Sequence, residues 1–265
     1  MPGHPDGPTT VDEIELPPTV DLPPAEAVLL LERGTIEVVG RLVAASNATL
    51  LVAVTGEVPR RGTIRAAAVH KPVRGERPLW DFSPGTLAAR EVAAHAVSRA
   101  SGWEVVPPTV LRQDGPFGPG MLQLWVETRD DVDPAGLLGT GDPRLRRIAV
   151  FDAVVNNADR KAGHLLVRPD GQVQGVDHGV TFHAEPKLRT VLWEWRGTLL
   201  AQRELSVLRL LAAELGPRGG LGRRLGELLA PDEVAATRSR VRDLLRTGRF
   251  PLPHPDWPAI PWPWY

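Results

Sequence analysis

Residues 154–179 read VVNNADRKAGHLLVRPDGQVQGVDHG, and the reading of the chain turns on them. A polar cluster, Asn156-Asn157-Ala158-Asp159-Arg160-Lys161-Ala162-Gly163-His164, sits between two apolar runs. Leu165-Leu166-Val167, a Pro169-Asp170-Gly171 turn and the run from Val173 to Val176 follow, ending in Asp177-His178-Gly179. Asp-Gly between short alternating runs is a strong hairpin signal. A hairpin this short brings its ends together, so Asp159 before it and Asp177 after it are expected to converge on one cleft. One carboxylate to orient an attacking hydroxyl and a second to hold a metal is what phosphoryl transfer requires. Asp, Asn and Gly are also plain turn formers, so the same letters fit a polar surface loop followed by an ordinary hairpin.

Bulk properties bound the rest. A chain of 265 residues is one large domain or two lobes sharing a cleft, and 42% hydrophobic content allows a sizeable core. A net charge of −1 argues against a polyanion binder, so no nucleic-acid partner is expected. With no cysteine there is neither a disulfide framework nor a thiolate metal site. The start, MPGHPDGPTTVDEIELPP, has no basic stretch and no apolar run, unlike a signal peptide. No stretch approaches the roughly 20 apolar residues of a membrane span, so a cytoplasmic location without integral membrane association is expected. Positive charge is written almost wholly as arginine; the lysines are Lys71, Lys161 and Lys187. A lysine kept against that bias marks a place suited to a compact ammonium rather than a planar fork.

In chain order, residues 1–24 are rich in proline and acid and are expected to be disordered. A short helix over 25–33 is closed by Gly34. Strands over 35–43, 49–54 and 63–70 follow, with a turn at 44–48 and a loop at 56–62, and the third strand delivers Lys71. The next helix lies within 80–101, with Ser83 as its N-cap, Pro84 in its first turn and Gly102 past its end. Leu87, Glu91, Ala94 and Val97 share one face of it at helical spacing. Glu91 is thus the one carboxylate on an apolar stripe. A buried carboxylate needs a cation, and Lys71 is the candidate; at the edge of the stripe Glu91 would instead point to water. Strands over 104–111 and 121–127 precede a linking loop at 128–142. Asp142 caps a helix whose apolar face is Leu145, Ile148, Phe151 and Val155, and that helix runs into the Asp159 loop. Two more helices are expected near 199–215 and 231–247. The final stretch, FPLPHPDWPAIPWPWY, suits an extended polyproline segment packed on its own domain.

The ordered set of strand lysine, helix glutamate, strand to linker, helix, Asp loop, hairpin and Asp-His-Gly resembles the protein-kinase-like fold. The likeness is to its atypical branch of phosphatidylinositol 3-/4-kinases and HipA-type kinases, and within it to an actinobacterial phosphatidylinositol 3-/4-kinase-related family. The resemblance spans roughly residues 30–250. It implies an α+β, two-lobed architecture: a β-rich N-lobe over 25–127, a mainly α C-lobe over 128–250, and flanking segments 1–24 and 251–265. Asn157 to His164 looks like the family's Asp-Arg-x-x-x-Asn catalytic loop. By that resemblance Asp159 is the catalytic aspartate, with Lys161 beside it, and Asp177 is the principal metal ligand. Lys71 contacts the phosphates and Glu91 holds Lys71. Ser46 and Asn47 lie in the turn over the phosphates, and Gln123, Trp125, Val126 and Glu127 belong to the strand and hinge that read adenine.

The implied function is ATP-dependent phosphotransfer with Mg2+ (or Mn2+), to a protein, lipid or small-molecule hydroxyl. Two departures stand out. His164 occupies the family's metal-binding asparagine position, either as a ligand or as a brace for the loop, and the 44–48 turn has no glycine. A nucleotide-binding pseudokinase with a regulatory role, and an AMP transferase on the same fold, are the alternatives. P-loop, Rossmann, zinc-protease and serine-hydrolase motifs are all absent from the sequence.

Overall fold

The structure, a computed structural model, describes residues 17–42 and 48–265. The expected tail at 1–24 falls mostly outside the described residues, as do Ser46 and Asn47. The chain divides into two compact units. One comprises the described residues up to Ala88 together with Pro108–Trp125, and the other Ala89–Pro107 together with Val126–Tyr265. It is a mixed α/β architecture, as the resemblance implies.

The first unit is built on helix α1 (Pro24–Arg33) and strands β1 (Thr35–Leu42), β2 (Thr49–Val58), β3 (Gly62–Pro72), β4 (Thr109–Arg112) and β5 (Gly120–Leu124). The strands form one antiparallel sheet in the order β1-β2-β3-β5-β4. β2 is apolar without alternation because both its faces are buried. Leu50, Val52 and Val54 pack in one cluster with Leu30 and Leu31 of α1, while Leu51 and Ala53 on the other face are buried too. β2 continues through Val58, past the expected end at 54, since Gly56 to Val58 still pair with β3. β4 begins only at Thr109, because Pro107 and Pro108 cannot donate to a ladder.

α2 (Leu87–Ser101) corrects the expected cap. Ser83 does not cap it. The Glu76 carboxylate accepts from the amides of Leu87 and Ala88 at 3.2 and 2.9 Å, a charged group at the helix's positive end. Gly102, just past the end, has φ +68°, a conformation that suits glycine.

The second unit holds the body of α2, then α3 (Pro143–Val155), the hairpin strands β6 (Leu165–Val167) and β7 (Val173–Gly175), and helices α4 (Gln202–Glu214), α5 (Gly220–Gly226) and α6 (Pro231–Thr247). Asp142 caps α3 through the Arg144 amide, and Leu145, Ile148, Phe151 and Val155 are buried in the core with Val97, Leu165, Leu208, Val241 and Leu244. α5 was not expected, since its glycine-rich sequence carries little helical propensity. Residues 251–265 carry no helix or strand and pass through a turn at 255–256 and bends at 257, 259–260 and 262–263, so they are not the uniformly extended segment that the proline spacing suggests. Among the described residues, no helix is long and apolar enough to cross a membrane.

Candidate active site

α3 delivers the Asp159 loop by stopping in a defined way. Asn156 adopts the left-handed conformation at φ 53° and ends the helix, a position that asparagine tolerates well. Its side chain donates to the His183 and Glu185 carbonyls at 2.9 and 2.7 Å and accepts from the Lys187 amide at 2.9 Å. Asn157 turns the chain once more: its Nδ2 donates to Asp152 at 3.0 Å, and its Oδ1 accepts the Asp159 amide at 3.0 Å. Behind the loop, Arg240 donates to the Val154 carbonyl at 2.9 Å and the His183 carbonyl at 3.2 Å. Burial pushes this guanidinium down to about 10, so it remains charged at neutral pH.

Arg160 is the residue that the whole arrangement leans on. It is fully buried and meets an equally buried Asp152 with Nε at 2.9 Å from Oδ2 and Nη2 at 3.0 Å from Oδ1. The remaining donors reach the Val176 carbonyl at 3.0 Å and His178 Nε2 at 2.6 Å, so that nitrogen is the acceptor. One guanidinium thereby ties the end of α3 and the Asp159 loop to the segment around Asp177. His178 is fully buried, edge-on to Phe151, and its amide donates to Glu91 at 2.8 Å. Glu91 is 2% exposed, so it does not point to water as the alternative for the helix edge had it. The sequence motif by itself assigns Arg160 no role. The available signal was Asp152, an acid inside the apolar run IAVFDAVV, because a buried charge demands a partner.

Lys161 Nζ lies 3.3 Å from Asp159 Oδ2, and His164 Nε2 lies 3.5 Å from Asp177 Oδ2. The Asp159 carboxyl is raised above its ordinary value, first by burial and further by the Asp177 charge, while Lys161 pulls it back down. Asp177 itself sits at φ 59°, a left-handed conformation that aspartate tolerates better than most side-chain-bearing residues.

Among the described residues no group of three or more acids, histidines or cysteines could enclose a metal ion. The donors present fit a different pattern. Asp177 with His164 beside it is a small, open set, suited to an ion that takes its other ligands from phosphate and water.

In the first unit, strand alternation places Lys71 on the sheet face opposite α1, with Ala67, Val69 and Met121, the last its register partner. Gln123 is buried and donates to Thr109 at 2.8 Å. The Trp125 amide donates to the Ala67 carbonyl at 3.0 Å, so it prolongs the sheet instead of facing outward as a donor. Val126 is buried and Glu127 exposed.

The chain is 43% identical over 269 residues to protein Rv2133c of Mycobacterium tuberculosis, a match that covers 88% of this chain and 94% of that one. The chain belongs to the Rv2133c family. A more distant relative of this Rv2133c-family chain is phosphatidylinositol 4-kinase gamma 4 of Oryza sativa, 26% identical over 180 residues. That match takes in 55% of this chain and 32% of the rice enzyme, so the chain spans about a third of that relative's length. Among solved structures, hydra Fam20 with sugar superposes at a TM-score of 0.50 and 17% identity, covering 89% of this chain and 92% of that one. The fold is kinase-like. No family model matches the chain.

Proposed function

We propose that this Rv2133c-family protein is an ATP- and metal-dependent phosphotransferase with a hydroxyl acceptor. The observation that carries the reading is the pair of acids that flanks the hairpin: Asp159 with Lys161 at 3.3 Å before it and Asp177 with His164 at 3.5 Å after it. In this reading Asp159 accepts the proton of the attacking hydroxyl as the phosphorus–oxygen bond to it forms, and the bond to the ADP oxygen breaks. Lys161, at 3.3 Å, keeps that carboxylate ionised and ready. Asp177 and His164 would hold a divalent ion, which when bound offsets the charge on the nucleotide phosphates. Lys71 is the residue proposed to meet those phosphates, and the segment from Gln123 through Trp125 and Val126 to Glu127 the one proposed to read adenine.

The rice lipid kinase supports the reaction class, whereas the acceptor stays at the level of a hydroxyl. Thermal denaturation with ATP, with and without Mg2+ or Mn2+, tests the site. Asp177→Asn is expected to lose the metal-dependent rise in Tm. Asp159→Asn is expected to keep it while turnover drops by a factor on the order of 10². Wild-type turnover in both variants removes the proposal, and metal-dependent binding without any wild-type turnover replaces it with a nucleotide-binding regulatory role.

A further inference from the structure

The segment Trp257–Tyr265 lies along the Asp159 loop and is bonded to it in layers. The Ala259 carbonyl accepts both the Thr190 amide at 3.0 Å and the Trp193 indole N–H at 2.7 Å. Thr190 is bridged in turn to Arg160, whose amide donates to Arg189 and whose carbonyl accepts from Val191, each at 3.1 Å. Further along, the Trp264 carbonyl accepts the Ala162 amide at 2.9 Å. The Trp257 ring lies 4.9 Å from Lys187 Nζ, and the Lys187 amide donates to Asn156, the residue that ends α3.

The chemistry of the two partners is complementary. Ala162 opens the single helical turn Ala162–His164, and the first amides of any helical turn lack partners within it. The opposing segment has prolines at 258, 261 and 263. Such a chain offers carbonyls and few amides, and its fixed φ angles lower the cost of ordering it. By contrast the Trp262 ring, 84% exposed, anchors nothing.

Resting on the phosphotransfer reading, we propose that residues 257–265 are a positioning strap of the catalytic centre. The Trp264 carbonyl fixes the turn Ala162–His164, and with it the Asp159 carboxylate and the His164 imidazole.

The test joins amide exchange to kinetics, with ATP hydrolysis as the reaction because water needs no identified acceptor. In a chain shortened to residue 256, the Ala162 amide is expected to exchange at least about tenfold faster. kcat is expected to fall about tenfold or more while KM for ATP stays within about threefold, and a synthetic peptide of residues 257–265 restores both exchange and kcat. Ala162→Pro removes the one donor while suiting the backbone, since Lys161 at φ −103°, ψ 163° already has the extended conformation that a following proline demands. It should match the shortened chain in kcat, and it decides the question if the shortened chain does not fold. Trp262→Ala should leave both readouts unchanged.

Unchanged exchange at Ala162 in the shortened chain overturns the proposal, and so does fast exchange with an unaltered kcat. A Trp262→Ala variant as impaired as the shortened chain overturns the assignment to the carbonyl. If the wild type hydrolyses no ATP, the phosphotransfer reading fails on that count, while exchange at Ala162 and its rescue by the peptide still decide whether the strap holds the loop.

Discussion

The two units place their candidate residues by different physical means. In the sheet, Lys71 is positioned by the main chain: β3 pairs with β2 over residues 62–70 and with β5 over residues 68–72, and alternation alone decides which face the lysine takes. Each such bond contributes about 1 kcal/mol net, and the loss of any one is shared by its neighbours. In the second unit, Asp159 is positioned by side chains. Asn156, Asn157, Asp152, Arg160 and Arg240 satisfy a loop that has almost no ladder of its own. A sheet tolerates change at most single side chains, whereas this loop concentrates its support in a few buried polar groups. Such a network is not an efficient source of stability, because desolvating both ions offsets most of their attraction. What it supplies is a fixed geometry, at the risk that one substitution strands a charge.

The sharpest way to break the contrast is Arg160→Met. It leaves Asp152 buried without its cation and is expected to destabilise the fold by about 3–5 kcal/mol in urea denaturation. A loss below about 1 kcal/mol would mean that the loop is held as diffusely as the sheet. Next comes His164→Asn. If the imidazole ligates the ion, the wild type favours Mn2+, a better match to a nitrogen donor, and the variant moves toward Mg2+ by about tenfold in relative activity. An unmoved ratio assigns the His164 imidazole to bracing the loop, through its contact with Asp177 at 3.5 Å.

Glu76→Ala probes a side-chain cap in the sheet unit. Losing the carboxylate at the start of α2 is expected to cost about 1 kcal/mol, read as a drop in Tm of several degrees or less. A cost rivalling that of Arg160→Met would erase the distinction between the units. The smallest effect concerns charge. Asp159 is raised in the folded state, so its ionised form is disfavoured there, and any stability tied to its protonation grows as pH falls through its titration. Activity that needs the carboxylate runs the other way and is lost over the same fall. Lys161→Met removes the group that draws this value down, so the Asp159 titration followed by carbon NMR should move to higher pH. A move to lower pH would mean that Lys161 does not face Asp159 in solution.

What the sequence disclosed follows the same division. Asp142 with Pro143 announced the start of α3, and Asp170-Gly171 announced the hairpin, because each signal is complete within a few residues. Glu91 on its apolar stripe announced its own burial. The Ser83 cap failed because Glu76, eleven residues before Leu87, supplies the acceptor through a turn that local spacing does not encode. Arg160 with Asp152 stayed hidden for a related reason. They are eight residues apart across the end of a helix, and only the left-handed turn at Asn156 brings them face to face. The Trp264 bond to Ala162 joins positions 102 residues apart, and no periodicity announces such a contact.

Gly175 lies where the hairpin passes the Arg160 guanidinium, and a β-carbon there would stand 2.9 Å from Nη2 and 3.0 Å from Nη1. A side chain at 175 would push the Arg160 guanidinium off its place, and moving it strands Asp152, so positions 152, 160 and 175 are expected to change together. Each of the three single steps is disfavoured by itself, and the viable alternative lies across all of them. The hairpin and the loop are in this sense one unit of inheritance, even though the chain spells them as two.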